Sequence, residues 1–117
     1  MSKSRILIVD DEVGAPQLLK RLLEQKCPYV VQLEHDSLRA VESALAFHPD
    51  LILLDVIMPE LDGGDVALLM RKTEAMRDVP IVFISAIAEP IEGYPFLPKP
   101  APVEKVIECI EQNLVRR

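Results

Sequence analysis

The chain is short of several residue types, and each shortage excludes something. It has 117 residues with no tryptophan, two tyrosines and three phenylalanines, so its core must be built mainly from aliphatic side chains. No apolar run approaches the roughly 20 residues that cross a membrane as a helix. Thirteen basic residues stand against nineteen acidic ones, a formal net charge of -6. We therefore expect no membrane contact and no direct nucleic-acid binding, because a phosphate backbone would repel this surface.

Cysteine is scarce, and so are targeting signals. Cys27 and Cys109 lie far apart without the spacing of metal ligands, which favours two free thiols. Both fall on predicted helices on the same side of the predicted sheet, so the pattern leaves their proximity open. The first five residues carry no signal-peptide pattern. We expect a cytoplasmic protein.

Half of the residues are apolar, enough to fill one core, and we expect residues 1–117 to form a single domain. Short apolar runs alternate with patterns of helical period, which predicts βα units around a parallel sheet. Predicted strands span 5–9, 30–34, 51–54 and 81–84, and predicted helices span 15–25, 38–47, 64–73 and 103–114. Ser37 is the predicted N-cap of the second helix. Residues predicted to face the sheet from the first three helices are Leu18, Leu19, Leu22, Leu23, Leu38, Val41, Ala44, Leu45, Val66, Leu69 and Met70.

The stretch 86–102 breaks this alternation. It holds five of the ten prolines, which a regular helix cannot accommodate. A fifth parallel strand is predicted at 94–97, yet a parallel crossover normally takes a dozen residues or more, and 86–93 is shorter than that. We therefore expect the fourth helix to be shortened or absent.

Carboxylates follow two of the predicted strands. Asp10 and Asp11 follow the first strand, and Asp55 follows the third. If these strands are parallel neighbours, their carboxyl ends meet at one edge of the sheet, where open α/β folds bind ligands. Three carboxylates so close repel one another and need a cation or a proton. Oxygen ligands without histidine or cysteine suit Mg²⁺ beside a phosphate group.

Two further residues complete this chemistry. Ser85 ends the fourth strand, where its hydroxyl can bond a phosphoryl oxygen, and Lys99 lies between two prolines, where its ammonium can pair with Asp55 or a phosphoryl group. A carboxylate nucleophile, a divalent cation, a hydroxyl and an ammonium are the parts needed to transfer a phosphoryl group onto an aspartate. His35 and His48 stand apart from these residues, and we expect both to face solvent.

These motifs together resemble the receiver domain of two-component response regulators, over essentially the whole chain. The sequences that carry the resemblance are ILIVDDE at 6–12, LLDVIMP at 53–59, DG at 62–63, ISA at 84–86 and FLPKP at 96–100. The resemblance implies an α/β, flavodoxin-like fold with a five-stranded parallel sheet of order 2-1-3-4-5 and helices on both faces. It implies a phosphoacceptor signalling domain, not a turnover enzyme, which phosphorylates itself from a donor and dephosphorylates slowly.

The resemblance assigns the acceptor and the metal ligands. Asp55 is the implied phosphoacceptor, which receives its group from a histidine kinase or a phosphotransfer protein in a Mg²⁺-dependent reaction. Asp11, Asp55 and the backbone carbonyl of Ile57 are the implied direct ligands of the ion, and Asp10 acts largely through water.

The resemblance also assigns phosphoryl contacts and a switch. Ser85 and Lys99 are the implied contacts, and the Lys99–Pro100 bond resembles the family's cis peptide. Ser85 and Phe96 are the implied switch residues, with Phe96 as core filler an equal alternative. Ile57 and Ile87 occupy positions that influence hydrolysis in the family, and their bulk implies a long-lived aspartyl phosphate.

Three alternatives stay open at this stage. The domain is either phosphorylated or a pseudo-receiver that acts as an interaction scaffold without phosphate. A Mg²⁺-dependent phosphatase of the haloacid dehalogenase type is less favoured, since it needs a second aspartate where Ile57 stands. The missing helix would uncover apolar sheet surface, so we expect either a homodimer through the fourth and fifth strands or a lid formed by Ile87, Ile91 and Pro95.

Overall fold

The sheet has five parallel strands in the order β2-β1-β3-β4-β5, which confirms the predicted flavodoxin-like α/β fold. The coordinates are a computed structural model that describes residues 3–86 and 89–114. The strands are β1 (Ser4–Val9), β2 (Tyr29–Glu34), β3 (Leu51–Asp55), β4 (Ile81–Ser85) and β5 (Phe96–Pro98). The described α-helices are α1 (Gly14–Lys26), α2 (Ala40–Phe47), α3 (Gly63–Lys72) and α4 (Val103–Asn113).

Helices cover both faces of the sheet. On one face, α2 and α3 pack against one set of strand side chains, and we call this cluster the α2–α3 layer. On the other face, α1 and α4 pack against the alternate set, which we call the α1–α4 layer. In β1, Leu7 and Val9 belong to the α2–α3 layer, while Ile6 and Ile8 belong to the α1–α4 layer. Every residue of β3 and β4 is buried. Burial on both faces explains why these strands are continuous apolar runs in the sequence.

The predicted helix faces are only partly right. Leu18, Leu38, Leu45 and Leu69 are 41–61% exposed, although the helical period predicted them on buried faces. The buried helical residues include several small ones, namely Pro16, Ala40, Ser43, Ala44 and Ala67. Small side chains allow a helix to lie close to the sheet, and larger apolar residues then flank the contact. Periodicity finds a broad apolar stripe but does not say which side of that stripe is buried.

Ser37 is not the N-cap that the sequence predicts. A short 3-10 turn, Ser37–Arg39, precedes α2, and the side chain of Asp36 accepts a hydrogen bond from the amide of Leu38. The capping carboxylate therefore lies one residue earlier than expected, because a turn begins there before the helix does. Ser37 itself is buried, 5% exposed.

The described part of the connection between β4 and β5 contains no helix, and two side chains cover the sheet there instead. We call them the β4–β5 cap: Ile91 and Tyr94, which pack against the α2–α3 layer. The Tyr94 ring meets Phe83 of β4 edge-on with ring centroids 5.1 Å apart, and the Arg71 guanidinium lies 5.5 Å from the Tyr94 ring. The Tyr94 amide donates to the Ile91 carbonyl, and β5 begins at Phe96 after this turn, later than predicted.

The two cysteines lie on the same side of the sheet. Cys27 and Cys109 are free thiols, and both pack against the α1–α4 layer. Burial raises the pKa of each thiol, so both stay protonated at neutral pH. Among the described helices, none is both long enough and apolar enough to cross a membrane.

Candidate functional site

Three acidic residues meet at the carboxyl edge of the sheet. Asp10 directly follows β1, and Asp55 ends β3, its parallel neighbour. Carboxylate oxygens from Asp10, Asp11 and Asp55 lie within 4.8 Å of one another. Asp10 and Asp55 are 3% and 5% exposed, whereas Asp11 faces solvent. The three predicted carboxylates therefore lie close together, as expected from strands that end side by side.

Lys99 joins this cluster from the loop after β5. Its Nζ lies 2.8 Å from Asp10 Oδ2, 3.6 Å from Asp55 Oδ2 and 3.7 Å from Glu12 Oε1. Burial alone would lower the pKa of Lys99, but the hydrogen bond and charge of Asp10, with the other two carboxylates, outweigh burial and raise it. Lys99 therefore stays protonated at neutral pH, and its shortest contact with a carboxylate is with Asp10. The Lys99–Pro100 peptide is cis.

The pKa of Asp55 is raised above its ordinary value. Its burial and the nearby charge of Asp10 both raise its pKa. Lys99 and hydrogen bonds from the backbone amides of Ile57 and Val56 act in the opposite direction, and the resulting pKa is about 6. Three clustered carboxylates face the Lys99 ammonium, so the site favours an additional positive charge.

The turn after Asp55 is closed tightly by Gly63. The Gly63 amide donates to the Val56 carbonyl at 2.7 Å, and a Cβ on Gly63 would lie 2.4 Å from the Asp55 carbonyl oxygen. Only glycine fits at that position without moving the backbone of Asp55. Asp62 and Asp65 then form a reciprocal capping box that starts α3. The Asp62–Gly63 pair is thus a structural turn before α3.

Two residues of the β2–α2 connection contact the site, and sequence reasoning missed both. His35, expected to face solvent, is half-buried, and its Nδ1 lies 2.9 Å from the Asp10 carbonyl oxygen. Ser37 donates to the Pro59 carbonyl at 2.7 Å and accepts from the Leu61 amide at 3.2 Å. The signal that could have found them is the predicted strand order, because the end of β2 adjoins the end of β1 in a 2-1-3 sheet.

The remaining predicted site residues lie on β4, on β5 and on the turn after β3, apart from one outside the described residues. Ser85 ends β4, is 1% exposed, and accepts the Lys99 amide on its backbone carbonyl at 2.8 Å. The Ile57 side chain is 54% exposed on the turn after β3. Phe96 opens β5 and packs partly buried against the α2–α3 layer. Ile87 lies outside the described residues.

Comparisons with known proteins agree with this fold. A family model described as the response regulator receiver domain matches residues 6–111. The response regulator MprA of Mycobacterium ulcerans is 36% identical over 97% of this chain and 50% of its own length. The DNA-binding dual master transcriptional regulator RpaA of Synechocystis is 33% identical over 97% of this chain and 49% of its own. The chain thus spans about half the length of these relatives.

Both alignments extend over 121 positions, more than the 117 residues here, so these relatives have residues without a counterpart in this chain. Among solved structures, the chemotaxis protein CheY4 of Vibrio cholerae has a TM-score of 0.89 at 22% identity, over 97% of this chain and 100% of that one. The response regulator domain of Thermotoga maritima CheB has a TM-score of 0.81 at 25% identity, over 98% and 99%. From the family match and these relatives, we conclude that the chain belongs to the response regulator receiver domain family.

Proposed function

We propose that this domain accepts a phosphoryl group on Asp55 from a histidine kinase or a phosphotransfer protein, in a Mg²⁺-dependent reaction. The observation that carries the proposal is the convergence of three carboxylates and one ammonium at one edge of the sheet, with Asp55 buried among them. Membership of the receiver family supports it. On this proposal, residues 1–117 act as one receiver domain in the cytoplasm.

Asp55 is the proposed nucleophile. One of its carboxylate oxygens bonds to phosphorus while the bond from phosphorus to the donor's imidazole nitrogen breaks, and the imidazole leaves. The backbone amides of Val56 and Ile57 donate to the Asp55 carboxylate and fix its orientation. Since its pKa is about 6, Asp55 is mostly ionised at neutral pH and ready to attack.

The donor set of the cluster fits Mg²⁺. Asp10, Asp11 and Asp55 offer carboxylate oxygen atoms that all lie within 4.8 Å of one another, and these three carboxylates outnumber the nearby Lys99 ammonium. The Ile57 backbone carbonyl is the proposed further ligand. When bound, magnesium would neutralise charge on the transferring phosphoryl group.

Lys99 and Ser85 are the proposed phosphoryl contacts. Lys99 already lies 3.6 Å from the acceptor oxygen of Asp55, so a small shift of its long side chain would reach a phosphoryl oxygen. Ser85 lies one residue beyond Ile84, the β4 residue that pairs with Asp55. We further propose that Ser85 and Phe96 form the switch, since Phe96 opens the strand that leads to Lys99.

Autodephosphorylation is proposed to be slow, and the domain is not proposed to turn over other substrates. Loss of the phosphoryl group requires a water molecule in line with the bond from phosphorus to Asp55. The apolar Ile57 side chain stands on the turn beside the acceptor and offers no polar group to orient that water. A phosphorylated half-life of seconds would contradict this part of the proposal.

Acetyl phosphate, a small phosphodonor, tests the acceptor chemistry directly. Incubation with Mg²⁺ should add the mass of one phosphoryl group to the intact protein. The mass should not increase when a chelator removes the ion, or when Asp55→Asn replaces the parent protein. An unchanged mass in the parent protein would refute the proposal. Two further assays separate the rivals. A phosphatase would hydrolyse p-nitrophenyl phosphate repeatedly, and a scaffold would bind its partner equally well after Asp55→Ala.

A homodimer through the β4–β5 region is a further proposal. Leu68 is 55% exposed on α3, one helical turn before Arg71, which contacts the Tyr94 ring. Of the residues expected to form a lid, Ile91 packs partly buried against the α2–α3 layer, Pro95 is half-buried, and Ile87 lies outside the described residues. Sedimentation over a range of concentrations, with and without acetyl phosphate, tests for a dimer, and a monomer under all conditions would count against it.

A further inference from the structure

We propose that Ser37 is a positioning residue for the acceptor site. This inference rests on the proposed function, because it concerns how Asp55 and the Ile57 carbonyl are held in place. Ser37 belongs to the β2–α2 connection, so it acts through the turn that follows Asp55.

The contacts of Ser37 join two segments that are distant in sequence. Its hydroxyl donates to the Pro59 carbonyl at 2.7 Å and accepts from the Leu61 amide at 3.2 Å. One side chain thus satisfies a backbone acceptor and a backbone donor on both sides of Glu60. Because Ser37 is 5% exposed, solvent cannot readily replace these two bonds.

The bridged turn needs such support. Glu60 has a φ of 70°, in the left-handed region that residues other than glycine rarely adopt. The Gly63–Val56 hydrogen bond and the capping box hold the ends of the turn. Ser37 holds its middle, on both sides of the strained residue. Residues in such conformations persist only where surrounding contacts determine them.

The start of this turn carries atoms of the acceptor site. The backbone amides of Val56 and Ile57 donate to the Asp55 carboxylate, and the Ile57 carbonyl is the proposed metal ligand. A turn that loses its bridge at Pro59 and Leu61 can relax its strained centre. That relaxation would move the Ile57 carbonyl away from the acidic cluster.

The test compares Ser37→Ala with Ser43→Ala. Ser43 is a matched control because it is also buried, 8% exposed, and its hydroxyl also donates a hydrogen bond, in this case to the Glu34 carboxylate on the β2 side of α2. Each variant loses one buried hydroxyl, so each should be destabilised by a similar amount. Ser37→Cys, which keeps the side-chain shape with a slightly larger atom but weakens the hydrogen bonds, serves as the second variant if Ser37→Ala does not fold.

Two readouts distinguish positioning from general stability. In metal-free protein, NMR should show shifted Val56 and Ile57 amide resonances in Ser37→Ala and unchanged ones in Ser43→Ala. Titration should show Mg²⁺ affinity about tenfold weaker in Ser37→Ala, as expected for the loss of a residue that orients a ligand, and near the parent value in Ser43→Ala. The phosphorylation rate at limiting Mg²⁺ should fall in parallel.

The outcomes separate this inference from the proposed function. If the parent protein binds Mg²⁺ and is phosphorylated, and both serine variants match it, Ser37 has only a structural role and the inference is wrong. If the parent protein neither binds Mg²⁺ nor takes a phosphoryl group, the proposed function fails and the inference fails with it. Selective weakening in Ser37→Ala alone supports both.

Discussion

The β1–β3 edge and the β4–β5 connection of this domain are built in different ways. At the first, two adjacent strands buried on both faces deliver Asp10 and Asp55 through continuous parallel pairing. At the second, Tyr94 and Ile91 form a short cap on the sheet where the family resemblance implies a helix. The comparison teaches that the carboxylate cluster depends on strand ends, whereas the covering of the neighbouring strands can be rebuilt from a few side chains.

Gly63→Ala should have the largest effect on stability, because the added methyl group would clash with the backbone at the β1–β3 edge. The new Cβ would lie 2.4 Å from the Asp55 carbonyl oxygen, so the turn must move, at an expected cost of about 3 kcal/mol in unfolding free energy. Urea denaturation measures this cost. Gly14→Ala is the matched control, since a Cβ on Gly14 meets nothing within 4 Å. Equal stability of the two variants would contradict the tight packing of this turn.

Asp55→Asn should stabilise the metal-free protein at high pH only. The pKa of Asp55 rises from 3.8 to about 6 on folding, so the folded state disfavours its ionised form. The resulting penalty is absent below about pH 4, grows as the pH rises, and is complete above about pH 6. The variant should therefore gain about 3 kcal/mol at pH 8 and almost nothing at pH 4. Urea denaturation at both pH values, without added metal, measures this, and a gain independent of pH would contradict it.

Tyr94→Ala should separate the two regions. It removes the edge-on contact with Phe83 and the contact with Arg71, so we expect a loss of about 1–2 kcal/mol in unfolding free energy. Phosphorylation from acetyl phosphate should continue at nearly the parent rate, since the carboxylate cluster lies on other strands. Tyr94→Phe keeps the ring and should stay close to the parent in both measurements. A collapse of phosphorylation in stable, folded Tyr94→Ala would show that the two regions are not independent.

Leu68→Gln should have the smallest effect on the isolated domain. The side chain is 55% exposed, and substitutions at such surface positions usually change stability by less than about 0.5 kcal/mol. If the proposed dimer forms through this face, the same change should weaken it strongly in sedimentation experiments. A dimer unaffected by Leu68→Gln would place the interface elsewhere.

The sequence predicted the β1–β3 edge well and the β4–β5 connection only in outline. Strands that are buried on both faces are continuous apolar runs in the sequence, and an aspartate follows or ends each of these two runs. The proximity of Asp10 and Asp55 could therefore be predicted without a structure. Prolines revealed that a helix was missing but not what covered the sheet. That role fell to Tyr94, whose partner Phe83 is eleven residues earlier in the chain, and such contacts leave no periodic signal.

Contacts made by side chains to distant backbone were the other gap. Ser37 was expected to cap a helix, because serine before an apolar helical pattern usually does. It instead bridges the turn after Asp55. His35 was expected in solvent and lies against the Asp10 carbonyl. Both positions follow from strand order, which becomes useful only when the register of β2 on β1 is known.

The most direct test of the account is a crystal structure with Mg²⁺ and a beryllium fluoride mimic of the phosphoryl group. On this account, one metal ion should be held directly by Asp11, Asp55 and the Ile57 carbonyl, with Asp10 acting largely through water. The mimic should lie on the Asp55 carboxylate, in contact with Lys99 and Ser85. A metal ion or mimic bound away from Asp55, or a Lys99 that stays on Asp10 and never reaches the mimic, would contradict it.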